Sequence, residues 1–401
     1  MTRFPSISTS LARAKRDAVV CPFKLCSGGY FSHARQSALR WTAAFLLLCV
    51  TSPATSGAQK VAWAGIAFSG SGDKSVRFPH TARLPVGEWN TNLLAQLTSN
   101  PPRHYELIQQ GKFETGETVS LACVLDNETV VEERSGDGWI VIISLQAQAM
   151  WIDFSRGGAR LMGSKPFLVH MTDYLDHKPT NTEITDRVRL GFVDPQNKQT
   201  VLDHFAAIVR DTPLRRSNIG ASVQVRQVNL DARALSVAPA TYRSQPDVFK
   251  AYLAGQFGAQ LAKNHGISVL PYAKDAAVDT MALQFTTRTE VRNLAIPKAS
   301  YCFDLDLQGF KRVLHKETAA ERAYIYGCFF KVRFYQELLG QDYLNEEAKQ
   351  GYARVFPRAK EPVDWLGYET SLTDFSREYT RKLGQDSKQN QVKEAFEKCK
   401  I

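Results

Sequence analysis

The sequence lacks an apolar run long enough to cross a membrane. The run at residues 41–50 has ten residues, whereas a membrane-spanning helix needs about twenty. A stable transmembrane anchor is therefore not expected. The sequence also has no C-x-x-C, H-E-x-x-H or G-x-S-x-G pattern. These absences argue against zinc-ribbon, thioredoxin-type, zinc-protease and nucleophile-elbow chemistry.

The N-terminal region has the layout of a secretory signal. Residues 1–40 contain seven basic residues and one acidic residue, and the apolar run follows them. The small residues Ser56, Gly57 and Ala58 come next. This order of basic, apolar and small residues predicts a signal peptide over 1–58, cleaved between Ala58 and Gln59. We expect the mature protein in the periplasm, free or associated with the outer membrane.

The leader is long for a signal peptide. Either translation begins downstream of Met1 or the basic region is extended, and no methionine lies between Met1 and Met150. A lipoprotein signal is a third interpretation because Cys49 follows the apolar run. A lipidation signal needs small residues before its cysteine, and here three leucines precede it.

The leader also accounts for most of the positive charge. The formal net charge of the chain is +10. Residues 1–40 carry +6 of this and residues 41–58 carry none, so +4 remains after cleavage. That excess is ordinary for a soluble domain. We therefore do not expect nucleic acid as a partner.

Cysteine is sparse beyond the leader. The four that remain are Cys123, Cys302, Cys328 and Cys399. An oxidising compartment allows two disulfides in three connectivities. Cys302 and Cys328 fall on neighbouring strands of a predicted hairpin, and their positions place them on opposite faces of the sheet. We expect these two to remain free, partly buried thiols.

Candidate chemical sites are weak. The loop from Gly70 to Ser75 resembles a phosphate loop, but Asp73 separates its last glycine from Lys74, and a turn is the preferred interpretation. Asp173, Asp176 and His177 cluster before a proline, where such residues commonly form turns.

A pair of carboxylates is the remaining candidate. Asp304 and Asp306 share a strand face about 6.6–7 Å apart, a spacing that suits a glycosidase. A solvated strand face produces the same pattern. We therefore predict no catalytic residue, no metal site and no cofactor.

Two halves of the chain show the same order of elements. In residues 59–212 we predict strands at 61–68 and 105–109, helices at 86–99 and 116–126, and a meander at 130–133, 138–155 and 159–174. A helical connection with a capping box at Thr180 and Glu183 follows. In residues 213–337 we predict strands at 235–242 and 267–272, helices at 246–264 and 274–283, and a hairpin at 300–315 and 321–336.

Both halves therefore have the order β-α-β-α-β-β, which predicts an α+β or α/β fold of two mixed-sheet modules. Ala95-Gln96-Leu97 in one half matches Ala259-Gln260-Leu261 in the other. The shared order and this short match suggest that one module was duplicated.

Residues 338–401 are predicted to form a helical tail with one apolar stripe. Five residues with alternating spacings of three and four form this aromatic seam: Trp365, Tyr368, Leu372, Phe375 and Tyr379. Such spacing places them on one side of a helix. The seam either packs on its own chain, which is commoner, or docks a partner.

The second half resembles exported α/β modules of the bacterial envelope. The features are Val237-Ala-Pro239, the helix at 249–263, Gly266-Ile-Ser-Val-Leu270 and the strand at 303–310. Over residues 235–336 it is similar at fold level to the curli-secretion lipoprotein family and to the N-terminal domain of the Tol-Pal translocation protein. The resemblance implies assembly and interaction parts rather than enzymes.

These observations predict a non-catalytic, soluble periplasmic protein that serves assembly or interaction in the cell envelope, with protein partners. A secreted hydrolase with a site assembled from distant residues is one alternative. A protein that binds a small molecule or glycan is another.

The export hypothesis has a direct test. N-terminal sequencing of the protein isolated from its native cells should begin at or near Gln59, because the small residues before it suit signal peptidase. A cytoplasmic species that retains Met1 would contradict this prediction.

Overall fold

The computed structural model describes residues 59–70, 72–109, 119–154, 158–197, 199–214, 221–272, 280–286, 291–359 and 362–400. The predicted signal peptide, with Cys49 and Ala58, lies outside the described residues, and Gln59 is the first of them.

The first half of the described chain forms a unit that we call the first repeat. Its elements are β1 (Lys60–Ser69), α1 (Lys74–Arg77), α2 (Val86–Ser99), β2 (Glu106–Gln109), β3 (Val119–Ser135), β4 (Gly138–Asp153), β5 (Ala159–Leu175), α3 (Asn181–Phe192) and α4 (Val201–Asp211). The predicted capping box is present, with Thr180 and Glu183 bonding reciprocally at the start of α3. β4 is buried on both faces, which is why its sequence is apolar without strict alternation.

The remainder forms the second repeat. Its elements are β6 (Val223–Leu230), α5 (Ala232–Ser236), α6 (Ala240–Ser244), α7 (Pro246–His265), β7 (Val269–Leu270), β8 (Thr280–Phe285), β9 (Val291–Ala295), β10 (Tyr301–Glu317), β11 (Glu321–Gln336), β12 (Gln341–Pro357), α8 (Asp364–Lys382) and α9 (Asn390–Lys398). α7 begins at a proline and ends at Gly266 in the left-handed conformation, with φ +67°, as its sequence predicts.

The described strands form two mixed sheets, which confirms the predicted fold class. The seven-stranded sheet has the order β2-β1-β3-β4-β5-β9-β8, and the five-stranded sheet has the order β12-β11-β10-β6-β7. β1 runs parallel to β2 and β3, and β6 runs parallel to β7 and β10. In the first sheet β3, β4 and β5 pair antiparallel, and in the second sheet β10, β11 and β12 do the same. The two repeats therefore share one topology, apart from β8 and β9, which join the first sheet.

The repeats also agree in detail. β3, β4 and β5 have 17, 16 and 17 residues, and β10, β11 and β12 have the same lengths in the same order. A β-bulge leaves Asp126 as the extra residue of β3 against β4, and another leaves Gln308 as the extra residue of β10 against β11. Because a bulge is a specific local feature, its recurrence at the matching place favours duplication of one module.

The second helix predicted in each half is wrong where the structure describes it. Residues 119–126 belong to β3, and residues 280–283 belong to β8. The remaining residues of those predictions, 116–118 and 274–279, lie outside the described residues. A short apolar run that is buried on both faces cannot be assigned to helix or strand by periodicity alone, and here strand pairing decides.

Two other predictions are corrected. The strand expected at 235–242 is instead the end of α5 and the start of α6. Asp231 caps α5, and Pro239 interrupts any strand because it has no N–H to donate. The tail is not helical from residue 338, because β12 pairs with β11 along its length. That pairing outweighs the weak strand propensity of its Glu, Lys and Gln residues.

α7 lies between the two sheets, packing on β6 and on β5. Its buried positions run round the helix: Phe249, Tyr252, Leu253, Ala254, Gln256, Phe257, Gly258, Ala259, Leu261 and Ala262. Gly255 permits the approach to the first sheet, since a Cβ there would lie 2.5 Å from Gln146 Nε2. α2, α3 and α4 cover the opposite face of the first sheet.

α8 carries the aromatic seam onto the second sheet. Trp365, Tyr368, Leu372 and Phe375 are buried, and Tyr379 is partly buried against the same core. The Phe375 ring stacks on Phe330 with centroids 4.1 Å apart. Gly367 lies so close to β11 that any Cβ would overlap the Tyr326 ring, which explains a glycine inside this helix. The seam therefore packs on its own chain.

The hairpin of β10 and β11 supplies the sheet side of this core. Its alternating apolar residues are all buried: Phe303, Leu305, Leu307, Tyr326, Phe330 and Val332. Cys123, Cys302, Cys328 and Cys399 are buried free thiols. Cys302 lies opposite Tyr335 and Cys328 opposite Phe310, so these two cysteines are far apart along the hairpin.

A buried polar cluster links α7, α8 and the first sheet. Glu369 of α8 is 1% exposed and its Oε1 accepts from the Tyr252 hydroxyl at 3.4 Å. His170 Nε2 of β5 lies 4.0 Å from the same oxygen, and its Nδ1 bonds with the Ser144 hydroxyl at 3.0 Å. Burial raises the pKa of Glu369 to about 8 and lowers the pKa of His170 to about 4. Burial therefore favours the neutral form of both groups.

We expect Phe375→Ala to lower the free energy of unfolding by about 3–5 kcal/mol, because it leaves a cavity beneath α8. Urea denaturation of the mature protein measures this. Leu338→Ala is the control, since Leu338 is 89% exposed. Equal stability of the two variants would contradict the packing described for the seam.

The Glu369 cluster predicts that stability falls as pH rises from about 6.5 to 8. Folded Glu369 keeps a proton that the unfolded chain has already lost, so raising the pH favours unfolding, by up to about 1.4 kcal/mol per pH unit. Below pH 6.5 His170 has the opposite effect on the free energy of unfolding. In that range the histidine binds a proton in the unfolded chain but not in the folded protein, so raising the pH favours folding.

Urea denaturation at several pH values should show the decline in the wild type and a flatter profile in Glu369→Gln. The matched control, Glu347→Gln, changes an exposed carboxylate of β12 and should keep the wild-type slope. An unchanged slope in Glu369→Gln would show that this cluster is not the cause.

Candidate functional site

A cleft of about 760 Å³ lies between the two repeats. We call it the inter-repeat cleft. From the first repeat it is lined by the ends of β1 and α1, by Pro79 and His80, and by residues 126–130 and Glu132 of β3. From the second it is lined by α6, the first turns of α7, Tyr272 and β8. A narrower inner pocket, which shares Arg77 and Asp126 with the cleft, extends to Gln146 and Gln148 of β4.

The bulge in β3 positions Asp126 in the cleft. Its Oδ1 accepts from the Ser69 hydroxyl at 2.9 Å and its Oδ2 accepts from Gln148 Nε2 at 2.9 Å. Because a bulge redirects the side chain of its extra residue, the carboxylate lies among β1, β3 and β4 rather than on a regular sheet face. Gln308 takes the corresponding position in the second repeat.

The Arg77 side chain links α1 to the end of β1 and to the bulge of β3. Its guanidinium donates to the Ser69 carbonyl at 2.9 Å and to the Asp126 carbonyl at 2.6 Å. These contacts use backbone oxygens, so the Arg77 side chain has a structural role here. The Asp126 carboxylate accepts from a neutral hydroxyl and a neutral amide.

Glu128 and His80 form the wall beside Arg77. Glu128 is 6% exposed, and its two oxygens accept from the backbone N–H groups of His80 and Thr81 at 2.9 and 2.8 Å. It thereby caps a short 3-10 helix at Thr81–Arg83. His80 Nδ1 bonds with the Thr185 hydroxyl at 2.9 Å, and burial lowers the pKa of His80. Both side chains therefore serve structure rather than acid–base chemistry.

The described residues Gly70 and Gly72–Ser75 lead from β1 into α1 beside the cleft. Gly70 has φ +99°, and Asp73 accepts from the Ser75 backbone N–H at 2.9 Å to cap α1. Lys74 lies over the Phe68 ring, 5.3 Å from its centroid. Ser71 lies outside the described residues. The described loop is thus a strand-to-helix turn, and Gly70 contributes to the cleft.

The other candidates from the sequence lie outside the cleft. Asp304 accepts from the Tyr335 hydroxyl at 3.4 Å and lies 3.6 Å from Arg333, and burial raises its pKa. Asp306 accepts from Asn229 at 2.6 Å. These contacts belong to the surface of the sheet, and they do not join the two carboxylates to the cleft.

The cluster near α3 is likewise structural. Asp173 pairs with Arg187 at 2.6 Å, and His177 bridges Asp176 and Glu183 at 2.6 and 2.8 Å. The hydrogen bond with Asp176 raises the pKa of His177. Within the described residues, no group of three or more His, Cys, Asp or Glu side chains is arranged to hold a metal ion.

The cleft was not apparent from the sequence, because its residues come from distant segments and carry no motif. Asp126 lies in a region predicted as helix, so the sequence indicated neither the β-bulge nor the direction of the Asp126 side chain. The sequence did single out the segment from Gly70 to Ser75, and Gly70 borders the cleft. Its glycines suggested a phosphate loop rather than this cleft.

In the part of the chain that is described, no helix combines the length and hydrophobicity needed to cross a bilayer. No protein-family model matches the chain, and no curated protein matches it.

Solved structures with some similarity include three bacterial proteins. A homologue of neuraminyllactose-binding hemagglutinin from Helicobacter pylori is 12% identical, with 44% of this chain and 88% of that chain covered and a TM-score of 0.26. A minor lipoprotein from Acinetobacter baumannii is 12% identical, with 41% and 90% covered and a TM-score of 0.22. Rare lipoprotein B from Shewanella oneidensis is 13% identical, with 43% and 97% covered and a TM-score of 0.21. At these scores the similarity carries no conclusion about function.

Proposed function

We propose that this protein is a non-catalytic binding protein of the bacterial cell envelope, exported by a signal peptide, which holds a small ligand in the inter-repeat cleft. The cleft itself carries the proposal. Its volume of about 760 Å³ falls within the range of about 300–1,000 Å³ that ligand sites occupy. It also lies between two structural units, where such sites are common.

The side chains of the cleft favour binding over catalysis. Glu128 and Arg77 are engaged with backbone groups, and Asp126 is held by Ser69 and Gln148. A hydrolytic site would place a nucleophile or activated water beside a general base. The paired carboxylates Asp304 and Asp306 do not line the cleft.

The envelope location rests on the signal-like leader and on the resemblance of the second half to exported assembly modules. We further propose that the chain consists of two duplicated modules, with β12, α8 and α9 completing the second. Protein partners in the envelope are compatible with a ligand site in the cleft.

Native mass spectrometry tests the proposal, because it detects a bound molecule of any chemical class. The protein is isolated from envelope extracts under non-denaturing conditions, and we expect a discrete small mass to be released from the wild type. Val248→Trp should abolish this mass, because Val248 lines the cleft and an indole would fill it. Thr241→Trp, from α6, is a second blocking variant.

Val355→Trp is the matched control, since Val355 is 57% exposed on β12 and does not line the cleft. It should retain the small mass. The same mass bound to both blocking variants, or no small mass on correctly folded wild type, would refute the proposal.

A further inference from the structure

The inner pocket contains a buried acceptor without a partner. Gln148 is 2% exposed, and its Oε1 has no hydrogen-bond partner among the described residues. The orientation of the amide is fixed, because its Nε2 donates to Asp126 Oδ2 at 2.9 Å. Rotating the amide by half a turn would set its oxygen against a carboxylate that can only accept. The unpartnered atom is therefore an acceptor, and leaving it unpaired costs free energy.

Asp126 presents further acceptor capacity at the same place. Its two oxygens each accept one hydrogen bond, from Ser69 and from Gln148, whereas an ionised carboxylate can accept about four. Asp126 lines both the cleft and the inner pocket, and Gln148 lines the inner pocket. That pocket holds about 40 Å³, enough for one small polar group. The group that fits must donate several hydrogen bonds.

The charged side chains that line the cleft favour a cationic ligand. Among the described residues that line it, the carboxylates are Asp126, Glu128, Glu132 and Asp247, and Arg77 is the only Arg or Lys. Lys250 lies 3.6 Å from Asp247 and offsets its charge. The remaining carboxylates still outnumber Arg77, whose donors point to backbone oxygens. An anionic ligand would meet repulsion here.

The wider part of the cleft has an apolar wall. Val248, Met281 and Ile296 line it from the second repeat. This wall suits an aliphatic chain, whose burial from water is favourable. A ligand therefore needs a cationic donor at one end and methylene groups behind it.

We propose that the inter-repeat cleft binds a primary alkylammonium ligand of the diamine or polyamine type, with one ammonium group in the inner pocket between Asp126 and Gln148. The inference rests on the proposed function and specifies its ligand. An ammonium group supplies three donors and no acceptor, which matches the unpartnered Gln148 Oε1 and the unused acceptor capacity of Asp126. The methylene chain lies along Val248 and Met281.

Calorimetric titration with three five-carbon probes tests this chemistry. Cadaverine carries two ammonium groups, 1,5-pentanediol is neutral and glutarate carries two carboxylates, so only the end groups differ. We expect cadaverine to bind and the other two to show no saturable heat. Raising the salt concentration to about 0.5 M should weaken the binding of cadaverine, because part of the attraction is electrostatic.

Variants locate the site. Asp126→Asn should raise the Kd for cadaverine at least about tenfold, since a charge-assisted hydrogen bond is lost. Gln148→Met, which removes the acceptor and keeps the size, should also weaken binding. Glu347→Gln on β12 removes an exposed carboxylate outside the cleft and should leave the Kd unchanged. Gln148→Met keeps the test valid if Asp126→Asn fails to fold.

The outcomes separate this inference from the proposed function. The ammonium assignment is wrong if glutarate or pentanediol binds as tightly as cadaverine. It is also wrong if neither Asp126→Asn nor Gln148→Met changes the Kd for cadaverine. If none of the probes binds while wild type, but not Val248→Trp, releases a small mass, the cleft is a ligand site and the ammonium assignment is wrong. If no probe binds and no mass is released, both are wrong.

Discussion

The structure depends on the burial of α7 between two sheets. α2, its counterpart in the first repeat, buries four residues, Val86, Trp89, Leu93 and Leu97, whereas α7 is buried round most of its circumference. A helix in that position must be apolar on several sides, and it must approach one sheet closely, which Gly255 allows. Because α7 contacts both sheets and buried residues of β3 and β4 join the core of the second repeat, the two repeats cannot separate without exposing apolar surface.

The inter-repeat cleft follows from the same packing. It opens beside the first turns of α7, where Gln245, Val248 and Ala251 line it together with residues 126–130 of β3. Along the helix towards its C-terminus, Gly258 lies close to Val269 and Pro166, so the gap narrows. The space lies between the two repeats, and the acidic bulge at Asp126 lines it. The matching bulge at Gln308 has no carboxylate, so the two repeats keep one backbone but differ in chemistry.

Some elements could be predicted because their signals are local. α2 occupies the predicted residues, α3 begins after its capping box, and α7 begins at Pro246 and ends at Gly266. The hairpin of β10 and β11 follows from strict alternation. Other predictions failed where partners at a distance decide the structure. β3 is apolar at successive positions because α2 and α7 lie on opposite sides of its sheet, and β12 is a strand only because β11 pairs with it.

The amino-acid sequence by itself determined the mixed α/β class, the likeness of the two halves and the apolar stripe of α8, since each depends on residues close together in the chain. Tertiary structure alone decided which helix lies between the sheets, that the seam faces Phe330, and that Asp126 and Gln148 meet in one pocket. Those features depend on strand register, on a bulge and on contacts between the repeats. The spacing of apolar residues indicates whether a segment forms a helix or a strand. It does not indicate which other part of the protein will pack on that segment.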